Sequence, residues 1–301
     1  MVNNGVPPGI PVLRKSFRSM GKELGVDQAT IRKRIRQFQE NRILRGWYLG
    51  VNPGLEGNDI VHAWFEVEGE SAKGDLVAKL LSVTEVERAC NYLGPKISIV
   101  LLSKKGRDHD VALRHLARML GPGVSLHKQR VIVTASTSLK KTDAEIIASL
   151  RRDPWKPFAA ISDEIRLSAR TIKRRVSSLS EEGVIYMLPI IDLKALQGTI
   201  PVELLVDYAS ADARTSANEK IAMRVKEGLV FSNISGPYGY FALVVPNVAQ
   251  VEQIVHWTSQ LRGIRGVHAD LLQDVILNQR YYARERQQLG TLPLSLVYEP
   301  N

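Results

Sequence analysis

The sequence predicts an α+β chain in which one unit, helices followed by a βαββαβ run, is written twice in tandem. Three observations carry that prediction. TIRKRIRQF at 30–38 returns as TIKRRVSSL at 171–179, an offset of 141 residues. The same offset aligns Phe17 with Phe158, Leu24 with Ile165, Glu40 with Glu181, Leu55 with Leu196, Gly57 with Gly198 and His115 with His256. NYLGP at 91–95 meets NISGP at 233–237 one residue out of that register. Agreement spread over most of the chain is the mark of an internal repeat. Finally, the spacing of apolar residues changes from helical to strand-like in the same order in each copy.

The second copy shows the elements most clearly. DAEIIASL (143–150) puts Ile146, Ile147 and Leu150 on one helical face, and Asp143 is placed to cap it. SDEIRL (162–167) belongs to a second short helix and turn. Ser168 then caps a third helix whose Ile172, Val176 and Leu179 face inward, and Gly183 ends it in a left-handed conformation. VIYMLPIID (184–192) reads as a strand or hairpin. The first copy repeats this with Asp27 as cap and Ile31, Ile35 and Phe38 inward. Two helices with a tight turn, then a hairpin, make a winged helix-turn-helix.

After each such unit come VHAWFEVEG (61–69) and PVELLVDY (201–208) as strands, helices near 71–82 and 214–227, and strands at 85–93 and 229–235. A Gly-Pro turn leads to strands at 96–103 and 238–245, helices at 109–120 and 248–262, and closing strands at 124–133 and 266–277. That order is ferredoxin-like, an antiparallel sheet with helices on one face. The bare face needs a cover, so the two sheets are expected to pair face to face. The predicted boundaries are 1–56 and 139–197 for the winged units, 57–138 and 198–280 for the sheet domains, and 281–301 for a C-terminal tail. The tail starts charged and ends apolar, suiting either a docked or a loose segment.

Charge points to a partner. The net charge is +10 with a pI near 9.7, which attracts polyanions, nucleic acid foremost. Residues 14–45 hold ten Lys/Arg against three acids. Residues 1–140 hold 22 Lys/Arg against 13 Asp/Glu, and the remainder 19 against 18. The exposed face of each third helix is the part that enters a DNA groove. The expected DNA-contacting residues are therefore Gln28, Thr30, Arg32, Lys33, Arg34 and Arg36, and Ala169, Arg170, Thr171, Lys173, Arg174 and Arg175. Arg32 and Arg170 are assigned to base reading; Lys33, Arg34, Arg174 and Arg175 are assigned to phosphates. Both threonines sit early in their helices, near base edges or phosphate.

Other classes of function find no support. The chain has one cysteine, Cys90, read as core filler, so no internal disulfide forms. No His/Cys spacing suits zinc, and the Ser-nucleophile, phosphate-loop and dinucleotide motifs are absent. No apolar run approaches a membrane span, and MVNNGVPPGI does not read as a secretory signal. A cytoplasmic, non-enzymatic protein without cofactor is the expectation. Trp47 and Tyr48 follow the first recognition helix and are read as packing residues.

The run DAEIIASLRRDPWKPFAAISDEIRLSARTIKRRVSSLSEEGVI resembles the DNA-binding half of the Lrp/AsnC feast/famine regulators. VIYMLPIIDLKALQG and the βαββαβ run with ISGPYGYFALVV resemble their effector-binding and assembly half. The resemblance covers about 143–280 closely and about 16–133 more loosely. It implies a sequence-specific transcription regulator that acts on double-stranded DNA, assembles with itself, here as a homodimer of fused pairs, and responds to a small effector. The implied effector residues are Gly94, Gly236, Tyr238 and Gly239. Two departures stand out. VNNGVPPG lies opposite DAEIIASL, so the first unit lacks its opening helix. Gly239 stands where the family usually carries an acidic residue, and is read as a turn residue rather than a pocket opener. Siroheme decarboxylases share this architecture and supply the enzymatic alternative. That chemistry calls for a strand rich in His, Arg and Tyr, and HAWFEV (62–67) is the nearest approach.

Overall fold

The computed structural model describes residues 17–69, 73–132, 139–233 and 238–278. The first unit consists of α1 (Phe17–Leu24), α2 (Gln28–Glu40) and β1 (Leu44–Val51). The second consists of α5 (Lys141–Arg152), α6 (Phe158–Ile165), α7 (Ala169–Glu181) and β6 (Ile185–Ile191). Between them lie β2 (Asn58–Val67), α3 (Lys73–Leu81), β3 (Val86–Tyr92), β4 (Lys96–Lys104), α4 (His109–Leu120) and β5 (Val124–Ile132). After them lie β7 (Ile200–Tyr208), α8 (Ala211–Arg224), β8 (Leu229–Asn233), β9 (Tyr238–Val245), α9 (Val248–Ser259) and β10 (Ile264–Leu277). The expected βαββαβ order thus occurs twice. The arm at 1–16 and the tail at 281–301 lie outside the described residues.

The caps form for the reasons the sequence supplies. Asp27 accepts a hydrogen bond from the Thr30 amide at 2.6 Å, and Ser168 from the Thr171 amide at 3.1 Å. The bond from Thr30 also holds the Asp27 carboxyl below its usual range. Gly183 takes φ +71° just past the end of α7, as a C-terminal glycine should. Asp143 does not cap α5, whose N-cap is Lys140. It lies in the first turn, buried, and accepts a 2.7 Å bond from Arg175.

The hairpin expected in each unit does not form: β1 after α2 and β6 after α7 are each a single strand. β1 and β6 pair with each other, antiparallel, from Leu44 opposite Ile191 to Val51 opposite Ile185. Alternation then gives this ribbon two faces. Leu49, Val51, Ile185 and Met187 enter the core of the second unit, with Ile146, Ile147 and Leu150 of α5, Ile161 of α6 and Ile172, Val176 and Leu179 of α7. Tyr48 and Leu188 face the other way, towards the sheets. Trp47 packs edge-on against Trp155 at 5.5 Å, which bears out its reading as a packing residue.

All other strands join one sheet, in the order β5-β2-β4-β3-β10-β7-β9-β8. Each half has ferredoxin-like order. β10 spans both: Ile264–Leu271 pairs with β7, and Leu272–Leu277 pairs with β3 across a register shift at Leu272/Asp274. The two halves also pack face to face, through Trp64, Cys90, Tyr92 and Ile132 against Leu205, Tyr238 and Tyr240. Each outer face is covered by its own two helices. Ion pairs cross between the halves: Lys96 to Asp270 at 2.8 Å, Lys128 to Asp207 at 3.2 Å, and Arg130 to Asp207.

Candidate nucleic-acid interface and the interior site

The DNA-reading assignment is a statement about one face of α7 and one face of α2. On α7, Ile172, Val176 and Leu179 are buried while Arg170, Lys173 and Arg174 stand in solvent. Ala169 and Thr171 are half-buried at the helix start. The Thr171 hydroxyl lies 2.8 Å from that of Ser168, so it is engaged in the cap. Arg175 is the exception among the basic residues of α7. It reaches back to the buried Asp143 on α5 and fastens the two helices together, which argues against its assignment to phosphate.

On α2, Gln28, Arg32, Lys33, Arg34 and Arg36 are exposed, with Thr30 half-buried at the cap. The Arg32 guanidinium lies 6.0 Å from the Phe17 ring of α1. Ile31 is buried and Ile35 half-buried, but Phe38 is 47% exposed, contrary to its expected inward place. Arg45, counted with the basic run, pairs with Asp192 beyond β6 and closes the end of the ribbon. That bond holds the Asp192 carboxyl below its usual range.

The expected effector residues that are described, Gly94, Tyr238 and Gly239, take different places in the fold. Gly94 sits in the β3–β4 turn at φ +87°, and buried Lys73 donates to its carbonyl at 2.6 Å and to that of Tyr92 at 2.7 Å. Gly236 lies outside the described residues. Gly239 is neither a turn nor a pocket opener. It is a strand residue opposite Val206, and a Cβ there would run into the Tyr208 hydroxyl and the Phe241 ring. Tyr238 borders a cavity.

The paired sheet faces hold a polar network that the sequence reading missed. Glu203 of β7, fully enclosed, accepts hydrogen bonds from Tyr240 at 2.6 Å and from Tyr92. Tyr92 and Ser98 hydroxyls meet at 2.8 Å, and Ser98 lies 3.2 Å from His62 Nε2. The His62 ring stacks near Trp64, with centroids 3.7 Å apart. Burial pushes the Glu203 carboxyl up, against the pull of the two tyrosines. Burial, and then the neighbouring Glu203, push both tyrosines well above their ordinary range. His62 is pushed well down by burial and by the charge of Arg88, so it is a neutral imidazole. Cys90, buried beside them, has its thiol pushed up to about 12, the state of an inert core thiol.

His62, Arg88, Tyr238 and Tyr240 all border one cavity beneath the β1–β6 ribbon. They come from three strands, β2, β3 and β9, so no single strand carries the whole set. The one signal was Glu203, a carboxylate in the middle of the apolar strand PVELLVDY. Among the described residues there is no cluster of three potential metal ligands, and no helix long and apolar enough to cross a membrane.

Comparison with known proteins adds to this geometry. A family described as winged helix-turn-helix DNA-binding matches residues 139–186. The HTH-type transcriptional regulator Ptr1 of Methanocaldococcus jannaschii is 40% identical over 124 residues, which is 41% of this chain and 82% of that protein. An uncharacterized HTH-type transcriptional regulator of Haemophilus influenzae is 28% identical over 109 residues, covering 36% of this chain and 65% of that one. Among solved structures, the siroheme decarboxylase NirDL aligns over 94% of this chain and 95% of its own, at 14% identity and a TM-score of 0.48.

Proposed function

Because this chain belongs to the helix-turn-helix transcriptional regulators of Lrp/AsnC type, we propose that it is a sequence-specific regulator whose two recognition helices do different work. α7 reads base edges, led by Arg170, while Lys173 and Arg174 hold phosphates. α2, with Arg32, Lys33, Arg34 and Arg36, grips phosphate more than it reads bases. The observation that carries this reading is the sidedness of α7. Three buried aliphatics seat the helix, and the opposite face offers three exposed cations. A helix so seated presents guanidinium donors to a major groove, where a bidentate contact to guanine discriminates by about 1–3 kcal/mol. Two copies of the chain would place paired units on a pseudo-palindromic site.

The decarboxylase reading is not favoured by the interior cavity. Its larger lobe is about 190 Å³. That is below the roughly 300 Å³ where pockets for drug-sized ligands begin, and a tetrapyrrole is larger still. An effector that modulates DNA binding remains part of the proposal.

The test is selection of sheared genomic DNA by the purified protein at about 0.15 M salt, which suppresses much of the purely electrostatic binding. The expected result is a shared motif with half-sites about one helical turn apart. Arg170→Ala should then cost about 1–3 kcal/mol and relax preference at one position. Arg174→Ala should weaken all sequences alike and flatten the salt slope by about 1. Uniform recovery of fragments would overturn the reading.

A further inference from the structure

We propose that the cavity between the β1–β6 ribbon and the paired sheets is a binding site for a small carboxylic acid with an apolar, single-ring body. The cavity has two lobes, of about 190 Å³ and about 60 Å³. Both lobes are bordered by Glu87, Arg88, Leu188, Phe231 and Tyr240, so they meet at Arg88 and Tyr240. The larger lobe is walled by aliphatic and aromatic side chains, and its charged residues are Glu87 and Arg88 alone among the described residues. A dry apolar cavity of roughly 150 Å³ takes up benzene. A lobe of about 190 Å³ therefore has room for one ring and a short chain.

The smaller lobe supplies the head group's partners. Tyr238 is 3% exposed, and among the described residues its hydroxyl has no hydrogen-bond partner. A buried hydroxyl left unpaired is costly, so one that borders a cavity favours an occupant that can pair with it. Its ring is held in place by the Arg130 guanidinium, 5.3 Å from the centroid. Arg88, on the same lobe, is oriented by Glu87 at 3.2 Å. A guanidinium beside a hydroxyl is a donor set for a carboxylate, since both donate and a charged acceptor makes the stronger bonds. The acid's carboxylate would take Arg88 and Tyr238, and its ring would lie in the larger lobe against Phe231 and Tyr240.

The wall above the ring is the ribbon itself. Leu188 and Ile190 border the cavity, while Ile185 and Met187 of the same strand lie in the core that seats α7. Occupancy and DNA binding thus share a two-stranded wall. That link rests on the proposed function; the binding site does not.

The experiment is calorimetric titration of the full chain with 3-phenylpropanoate and, in parallel, 3-phenylpropanamide. The expected result is saturable binding of the acid, one per chain, with the amide weaker by about tenfold or more, as loss of a charge-assisted contact implies. Tyr238→Phe should weaken the acid by roughly 3- to 10-fold. It should leave the unfolding temperature unchanged or raise it, because the hydroxyl removed has no partner to lose. A merely structural tyrosine would show the opposite pattern. No saturable binding at millimolar acid, equal affinity for acid and amide, or unchanged affinity in Tyr238→Phe would each overturn the proposal. Failure of the DNA selection with acid binding intact would overturn only the DNA reading.

Discussion

The two helix-turn-helix units share a sequence phrase and differ in what lies beneath it. In the second, α7 rests on α5, α6 and both ribbon strands, and twelve buried residues form one core. In the first, the buried residues of α1 and α2 are Gly21 and Ile31, while Leu24 and Phe38 are 65% and 47% exposed. The first unit's own strand contributes Leu49 and Val51 to its neighbour's core. A recognition helix needs a third element behind it to exclude water from its apolar face. Only the second unit has one within the described residues. The phrase sets which side chains stand on the exposed face; the support behind it decides how rigidly they are held.

The comparison extends to single positions. Ser162 donates its hydroxyl to the Leu167 carbonyl, while Gly21, its counterpart at the 141 offset, stands so near the Val26 carbonyl that a Cβ would collide with it. Each unit has two left-handed turn positions. The first fills them with Gly25 and Arg42, the second with Arg166 and Gly183. One glycine and one arginine serve in each, with the order reversed.

The largest expected break in the comparison is in the cores. Ile172→Ala should cost about 3–4 kcal/mol, since Ile172 is fully buried in a closed core. Ile31→Ala should cost about 2 kcal/mol or less, because its surroundings relax more readily. Denaturant unfolding of the two variants measures both. Equal losses would show that the first unit has a complete core of its own.

A smaller effect separates two aligned arginines. Arg175→Met strands the buried Asp143 carboxylate and should cost about 1–2 kcal/mol. Arg34→Met, on an exposed face, should change stability by less than about 0.5 kcal/mol. On DNA the order reverses: Arg34→Met should flatten the salt slope by about 1 and Arg175→Met should leave it alone. A flattened slope for Arg175→Met would return that residue to the phosphates.

The smallest effect lies in the turns. Arg166→Gly and Arg42→Gly should each stabilise by about 0.5–1 kcal/mol, since a side chain at φ +55° or +57° is strained. Gly183→Ala should destabilise by about 1 kcal/mol on the same ground. Thermal unfolding at neutral pH reads all three. A loss in Arg166→Gly would mean that the arginine side chain contributes more than its backbone costs.

Much of this was legible along the chain, and the reason is local. Caps at Asp27 and Ser168, the glycine end at Gly183 and the inward row Ile172–Val176–Leu179 depend on neighbours three or four residues away. So does the βαββαβ order, which follows from alternation and turn residues. The placements of Phe38 and Asp143 were misread for the complementary reason: helical spacing names a face but not what covers it. Arg175 was assigned to DNA because its partner is on another helix, 32 positions away.

By itself the sequence determined the family, the helices α2 and α7, their basic faces and the strand order within each half. Tertiary structure alone decided that β1 and β6 form one ribbon, that β10 joins the two halves, and that Glu203 gathers Tyr92 and Tyr240. It likewise decided that His62, Arg88, Tyr238 and Tyr240 share a cavity. The physical reason is that helices and turns are stabilised by short-range bonds that residue order specifies. Pairing of distant strands and pairing of sheet faces are selected by burial of surfaces that no local stretch contains.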